Sequence, residues 1–245
     1  MRHRRGRTRA LGVVLPVHDE EDLLGTALIA LEVSLRELKG YPTTCGVAIV
    51  LDACGDASES LVQEWRHGTR RRLPELDVLI LTCDARNVGV ARGLGCAALL
   101  SNWDQIDATG LWLATTDADS QVPRDWLVEQ VKAHESGADL WTGRILVNDW
   151  TLHDPKTRDR WTATYEAEVN PLHGANMGFN ALRYLRVGGF PPRETGEDRE
   201  LCARMVASGA SLVRDSSVRV STSARRVARA PRGFSHALTM FESEH

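Results

Sequence analysis

The sequence predicts an α/β fold built on one doubly wound, mostly parallel sheet. Two observations lead there. Between Leu11 and Ser136, short apolar runs alternate with stretches of helical periodicity, and a strand–helix–strand rhythm of this kind folds into parallel strands joined by crossover helices. The apolar runs are also near-continuous rather than alternating, as expected of strands covered on both faces.

Leu11–Val17 is the first strand. In the following DEEDLLGTALIALEVSLRELKG, Leu24, Leu28, Leu31, Leu35 and Leu38 recur at helical spacing, acids precede them, Arg36 and Lys39 fill the last turn, and Gly40 stops the helix. Val47–Leu51 is the second strand, followed by the turn DACGDAS and a helix through Trp65. Val78–Leu81 is the third; RNVG then leads into a small-residue helix, Val90–Leu100. Leu111–Thr115 is the fourth, and Pro123 opens a helix that runs to about Ser136. After Gly143 the periodicity weakens, and 144–172 is polar and contains Trp150 and Trp161. HGANMGFNALRYLRVGGF predicts a tight turn, a strand and a short helix. GEDRELCARMVASGA predicts a helix from about Glu197, with two short strands near 211–214 and 218–220. Without repeats or a linker, this is one domain over 11–225 with two halves, 11–120 and 121–225. A basic arm, 1–10, and a tail, 226–245, flank it.

A chain of 245 residues with 42% hydrophobic content can bury one sizeable core. A net charge of −3 argues against a polyanion binder, so no nucleic-acid partner is expected. The basic stretches MRHRRGRTRA and ARRVARAPRG read as solvated arms, with contact to anionic lipid or a polyanion as the other reading. LGVVLPV is short, contains Pro16 and turns acidic, unlike a signal peptide, and no apolar run approaches the about 18 residues of a membrane span. Cysteines 45, 54, 83, 96 and 202 are odd in number and form no Cys-x-x-Cys pair. Reduced thiols and a cytoplasmic location fit them best. In the tail, Phe234, Leu238 and Phe241 form an apolar stripe suited to packing on the domain, on a second copy in a homo-oligomer, or on a membrane surface.

In an open parallel sheet, ligands bind beyond the carboxyl ends of the strands. Each strand here ends in polar groups: Pro16 to Glu20 after the first, Asp52 and Asp56 after the second, Asp84, Arg86 and Asn87 after the third, Asp117 and Asp119 after the fourth. Clustered carboxylates repel and are costly to desolvate. A divalent cation removes both objections, and Mg²⁺ or Mn²⁺ takes one or two carboxylates plus substrate phosphates. The plainer reading is that one Asp of the pair caps the helix near Pro123. Glu197 and Asp198 equally suit a helix start through the dipole alone.

The ordered motifs LPVHDEE, LDACGDAS, ARNVGVARGLG, TDADS, HGANMGF and GGFPPRETGEDREL resemble glycosyltransferase family 2 on the GT-A fold, over 11–225. The resemblance implies a Rossmann-like nucleotide-binding half, 11–120, and a smaller acceptor half, 121–225. It implies an inverting, non-processive transfer of one sugar from a UDP- or GDP-sugar to a small-molecule, lipid or glycan hydroxyl; the processive Gln-x-x-Arg-Trp motif is absent. Glu20 and Asp52, beside Pro16, would hold base and ribose. Arg86 and Gly89 would close the diphosphate pocket. Asp119 would ligate Mn²⁺ or Mg²⁺ with Asp117 as partner. His173, Gly174, Ala175 and Asn176 would line the sugar and acceptor pocket. Asp198 would be the general base, with Glu197 beside it raising its pKa or binding acceptor hydroxyls. Two departures stand out: Ala53-Cys54 interrupts the second motif, and the stretch VSTSARRVAR, where a late His metal ligand would fall, has no His until His236, which leaves metal ligation by the last segment open and Arg225 or Arg226 as diphosphate contacts instead. Trp150, Trp161 and Tyr165 either stack on an acceptor ring or close a lid. His18 is a loop residue or a nucleotide contact.

Three rivals share features with this chain. Gly93, Gly95 and Ala98 match a dinucleotide fingerprint but fall inside a predicted helix. A haloacid-dehalogenase-type phosphatase also places Asp-x-Asp after a strand, though near its start. A non-catalytic sugar-nucleotide binder of the same fold would keep the donor residues and dispense with Asp198.

Overall fold

The computed structural model describes residues 7–41, 43–147, 149–168 and 171–225. The expectations for residues 1–6, Arg226 and the tail with Phe234, Leu238 and Phe241 lie outside the described residues. Four strands, β1 (Ala10–Val17), β2 (Thr44–Asp52), β3 (Asp77–Cys83) and β4 (Leu111–Thr115), are parallel as expected. With β5 (Ser120–Gln121), β6 (Leu140–Val147), β7 (Met177–Asn180) and β8 (Leu212–Thr222) they form one sheet in the order β3-β2-β1-β4-β7-β6-β8-β5. The second half is mixed: β7 runs antiparallel to β4 and β6, β8 is parallel to β6, and β5 is antiparallel to β8.

The helices are α1 (Leu24–Glu37), α2 (Ser58–Arg72), α3 (Val88–Asn102), α4 (Trp126–Glu135), α5 (Pro155–Ala167), α6 (Ala181–Arg186) and α7 (Glu197–Ala207). They cover both faces. Leu11, Val13, Leu15 and Val17 of β1 pack with Leu24, Leu28 and Leu31 of α1 and with Trp126 of α4. Ala10 and Val14 point the other way, into a cluster with Leu99 of α3, Phe179 of β7 and Leu201 of α7. The period-2 alternation of a strand therefore feeds two cores. Among the described residues no helix is long and apolar enough to cross a membrane.

Four local expectations differ from the structure. The segment expected to loosen after Gly143 continues as β6, because the β6–β8 register shifts between Gly143 and Arg144 rather than stopping. Gly143 pairs with Asp215 and Arg144 with Arg219, so Ser216, Ser217 and Val218 have no partner across β6. The two strands expected near 211–214 and 218–220 are one bulged strand. The polar 144–172 stretch holds α5, whose start is set by Asp154 accepting from Lys156 N at 2.7 Å and by Pro155 in its first turn. Finally, Thr8, placed in the arm, is fully buried. Its hydroxyl bonds His134 Nδ1 at 2.9 Å and its N–H donates to Glu135 at 3.0 Å.

Candidate functional site

The pairing of β1 with β4 ends at Val14–Thr115, whereas β1 and β2 continue to Val17–Leu51. Beyond Val14, β1 is hydrogen-bonded on one side only, and the chain leaves β1 and β4 in different directions. This is the switch point of the sheet, where an open α/β fold forms its crevice. A cleft of about 920 Å³ lies here. Its walls include Pro16, Glu20, Asp52, Arg86, Asp117 and Asp119 from the strand ends, His173, Gly174 and Ala175 from the turn before β7, Glu197 and Asp198 from α7, and Arg225 from beyond β8.

Two expected residues stand behind the wall. Asn176 is fully buried. Its amide donates to Arg144 O at 2.7 Å and Val218 O at 3.1 Å and accepts from Trp126 Nε1 at 2.8 Å, so it fastens β6, β8 and α4 behind the cleft. Gly89 begins α3 against the 191–193 segment. Its N–H donates to Arg193 O at 3.0 Å, and a Cβ there would overlap the Pro191 carbonyl oxygen and lie 2.9 Å from Arg193 N. Its role is to let these backbones touch.

At the ends of β2 and β3, Asp52 shapes the β3–α3 turn. Oδ1 accepts from the N–H groups of Ala85 at 2.7 Å and Arg86 at 2.8 Å, and Oδ2 from Asn87 at 2.8 Å. Burial pushes this carboxyl up, but the three N–H donors outweigh it and hold it below the usual range. Arg86 adopts a left-handed φ of 47° and holds its side chain 75% exposed at the rim, with Asp84 3.7 Å away. His18 Nδ1 meets Asp52 O at 2.6 Å.

The acidic centre is organised by two arginines. Arg225 forks between Glu20 Oε2 at 2.6 Å and Asp119 Oδ2 at 2.8 Å. Arg92, on α3, forks between Asp117 and Glu197. Burial works against the charge of Arg92, and the two carboxylates overcome it, raising its pKa further. Arg92 was not singled out in the sequence; one Arg in a helix of small residues carries no signal of its own. Yet the fourth strand end, α7 and the Gly174 turn all meet at it, and a Cβ on Gly174 would overlap its guanidinium. Burial pushes Asp119 up to about 6, with Arg225 lowering it and the charges of Asp117 and Glu20 raising it.

Elsewhere on the cleft wall, α7 starts after Gly196, whose left-handed φ of 76° turns the chain so that Glu197 and Asp198 occupy the first turn. Glu197 points inward to Arg92; burial raises its pKa and Arg92 works against that. Asp198 faces the cleft, with Oδ2 accepting from Gly174 N at 2.7 Å and Oδ1 from Arg199 N at 2.7 Å. Trp161 stacks on Tyr165 at 4.7 Å and 10°, Trp150 packs on Trp161, and Tyr165 Oη accepts from Ile145 N at 2.9 Å. These rings are mostly packed on one another and close one end of the cleft.

His173 lies beside Tyr165, with ring centroids 5.6 Å apart, and burial pushes its pKa down to about 4. An unfolded His titrates near 6.5. Between pH 7 and 5 the unfolded chain therefore takes up a proton that the folded chain refuses, and stability falls with pH across that window. The drop in thermal midpoint from pH 7 to pH 5 is expected to be larger in the wild type than in His173→Gln. The opposite change at Asp119 is common to both proteins and cancels in the comparison. Equal drops would show that His173 titrates normally in the fold.

A divalent ion fits the chemistry of Asp117 and Asp119, hard oxygen donors crowded by Glu20 and short of positive charge. The two do not form a complete cage. Among the described residues, the one group of three ligand-type side chains close enough to share an ion is Asp19, Cys54 and Asp56. The carboxylates of that trio accept from the N–H groups of Gly55, Glu21 and Ser58, which explains their grouping as two loops tied together. An ion on Asp117 and Asp119 would draw its other ligands from substrate phosphates.

The geometry bears on two rivals. Gly93 and Gly95 sit in the middle of α3, where a Cβ on Gly95 would press on Val14 and Val50, so they serve helix–sheet packing. Asp117 is tied to Arg92, which leaves it ill suited to act as the free nucleophile of a phosphatase.

Comparison with known proteins agrees with this architecture. No curated relative matches the sequence. Among solved structures, the mannosyltransferase PcManGT from Pyrobaculum calidifontis, in complex with GDP-Man and Mn²⁺, is 19% identical with a TM-score of 0.63, over 98% of this chain and 62% of that one. TarS 1-349 from S. aureus, in complex with UDP-GlcNAc, is 14% identical with a TM-score of 0.63, over 90% and 60%. Glucosyl-3-phosphoglycerate synthase from Mycobacterium tuberculosis, with Mg²⁺ and UDP, is 14% identical with a TM-score of 0.52, over 96% and 76%. The chain thus spans about 60% of the TarS and PcManGT chains. These likenesses establish the GT-A fold. The sequence pattern of glycosyl transferase family 2 matches residues 12–187, most of the described domain, and this chain belongs to that family.

Proposed function

We propose that the chain transfers one sugar per encounter, with inversion, from a uridine or guanosine diphosphate sugar to the hydroxyl of a small-molecule, lipid or glycan acceptor. The observation that carries this reading is the gathering of Glu20, Asp52, Asp117, Asp119 and Asp198 in one cleft at the switch point of the sheet. The nucleotide complexes of the structural relatives support it.

In this reading Asp52 and the backbone turn it holds receive the base and ribose, with Glu20 and Pro16 alongside and Arg86 at the rim. A divalent ion, Mn²⁺ or Mg²⁺, would be held by Asp119 and Asp117 and would supply positive charge to the leaving diphosphate. The acceptor hydroxyl lies against Asp198, which takes its proton as the oxygen attacks the anomeric carbon. The new glycosidic bond forms while the bond to the diphosphate breaks, and a single displacement inverts that carbon. Gly174 N–H and Arg199 N–H keep both oxygens of Asp198 in place, so the base is oriented by backbone. All five cysteines are free, which suits a cytoplasmic setting.

The test is thermal stability across nucleoside diphosphates and diphosphate sugars, with and without Mn²⁺. A ligand of the folded state at a hundredfold excess over Kd adds about 2.7 kcal/mol of stability. One nucleotide is expected to give such a shift, and Asp119→Ala to lose its metal-dependent part. No shift with any nucleotide would remove the donor site.

A further inference from the structure

The two arginines of the acidic centre differ in one respect. Arg92 is buried within α3, 3% exposed at its side chain, and has nowhere to go. Arg225 is 22% exposed and lies three residues past Thr222, where the β8 ladder has ended; its own N–H donates to Ser223 Oγ at 3.2 Å. Its Nη1 and Nη2 hold Glu20 and Asp119, while Nε has no partner among the described residues. Asp119 Oδ1 meanwhile accepts from Ser120 Oγ at 3.1 Å. That hydroxyl also lies 3.0 Å from Thr222 Oγ1 and has one proton to give, so the firm partner of Asp119 is the guanidinium on Oδ2, and a cation that takes Oδ2 must displace it.

We propose that Arg225 competes with a divalent cation for Asp119, and that a nucleoside diphosphate draws it off. This rests on reading the cleft as a donor site. A guanidinium presents a planar fork that suits phosphate oxygens at least as well as carboxylates. A diphosphate entering between the β1 and β4 ends offers Arg225 new partners, releases Asp119, and adds its own oxygens as ligands for the ion. Glu20 and Asp119 are close to fully buried, 8% and 13% exposed at their side chains, so they need a positive partner at all times. Without donor that partner is Arg225 for both; with donor the ion takes over at Asp119 while Arg225 Nη1 keeps Glu20. Cation and nucleotide then bind with strong positive coupling, and the cation binds poorly alone. The same linkage requires the cation to tighten the nucleotide by the same factor.

The experiment is a titration of the full chain with Mn²⁺, followed by the electron paramagnetic resonance signal of the free ion, alone and with UDP or GDP. It compares wild type, Arg225→Met and Arg225→Lys, each checked by thermal melting for an intact fold. Wild type is expected to bind Mn²⁺ about tenfold more tightly with the matching nucleotide than without it. Arg225→Met, which keeps the stem and drops the charge, is expected to bind Mn²⁺ about tenfold more tightly than wild type in the absence of nucleotide, with the coupling reduced. Arg225→Lys keeps a competing charge and is expected to stay near wild type. If Arg225→Met does not fold, Arg225→Gln takes its place. Unchanged or weaker binding of Mn²⁺ alone to the neutral variant overturns the competition. Tighter Mn²⁺ binding by that variant with no response to either nucleotide upholds the competition and overturns the nucleotide's part in it, together with the donor-site reading.

Discussion

Arg92→Met is expected to lower the unfolding free energy by about 3–5 kcal/mol, because it leaves carboxylates facing one another without their cation. Glu197, 4% exposed, cannot turn to water, whereas Asp117, 37% exposed at its side chain, can do so in part. That asymmetry places the expected loss toward the lower end of the range. Met matches the length and apolar character of the stem, so the loss reports charge rather than a cavity. Arg92→Lys is expected to recover only part of it, since an ammonium cannot fork between two carboxylates. Arg92→Met combined with Glu197→Gln is expected to be more stable than Arg92→Met alone, since the second change removes the uncompensated buried charge. Urea unfolding of the four proteins measures this. An Arg92→Met protein within about 0.5 kcal/mol of wild type would show that the cluster holds no net stability, as for a surface site.

Asp198→Asn is expected to slow sugar transfer by about 10²–10⁴-fold, the contribution of a positioned general base, while nucleotide binding stays unchanged. Asn has nearly the same shape; its one oxygen still accepts from Gly174 N and holds the turn against α7, while the bond from the exposed Arg199 N is given up to water. What is lost is the capacity to take a proton. Glu197→Gln is expected to differ in kind: its carboxylate is tied to Arg92, so its first effect is on stability. Nucleoside diphosphate release from the donor, identified by its stability shift and supplied with acceptor, reads the rate, and thermal shift reads the binding. Full activity in Asp198→Asn would move the base elsewhere and favour a site in which α7 only positions the acceptor.

Local periodicity decided much of this protein before any tertiary contact entered. The four parallel strands, the helix starting at Glu197 and the acidic residues at the strand ends were legible because each depends on neighbours a few residues away. So was the order of the motifs. The second half was less legible for a physical reason. The bulge of β8 opposite Gly143 and Arg144, and the antiparallel insertion of β7 between β4 and β6, depend on partners distant in sequence. The same holds in the cleft. Asn176 carries the chemistry of a binding residue, and only its surroundings show that its amide holds Trp126, Arg144 and Val218 together.

The sequence alone determined the fold class, the family and which carboxylates meet at the edge of the sheet. Tertiary structure alone decided how those charges are compensated. Arg92 meets Asp117 across 25 positions and Glu197 across 105, and Arg225 meets Glu20 across 205. No local pattern encodes such pairs, because burial makes a charge matter and packing chooses its partner.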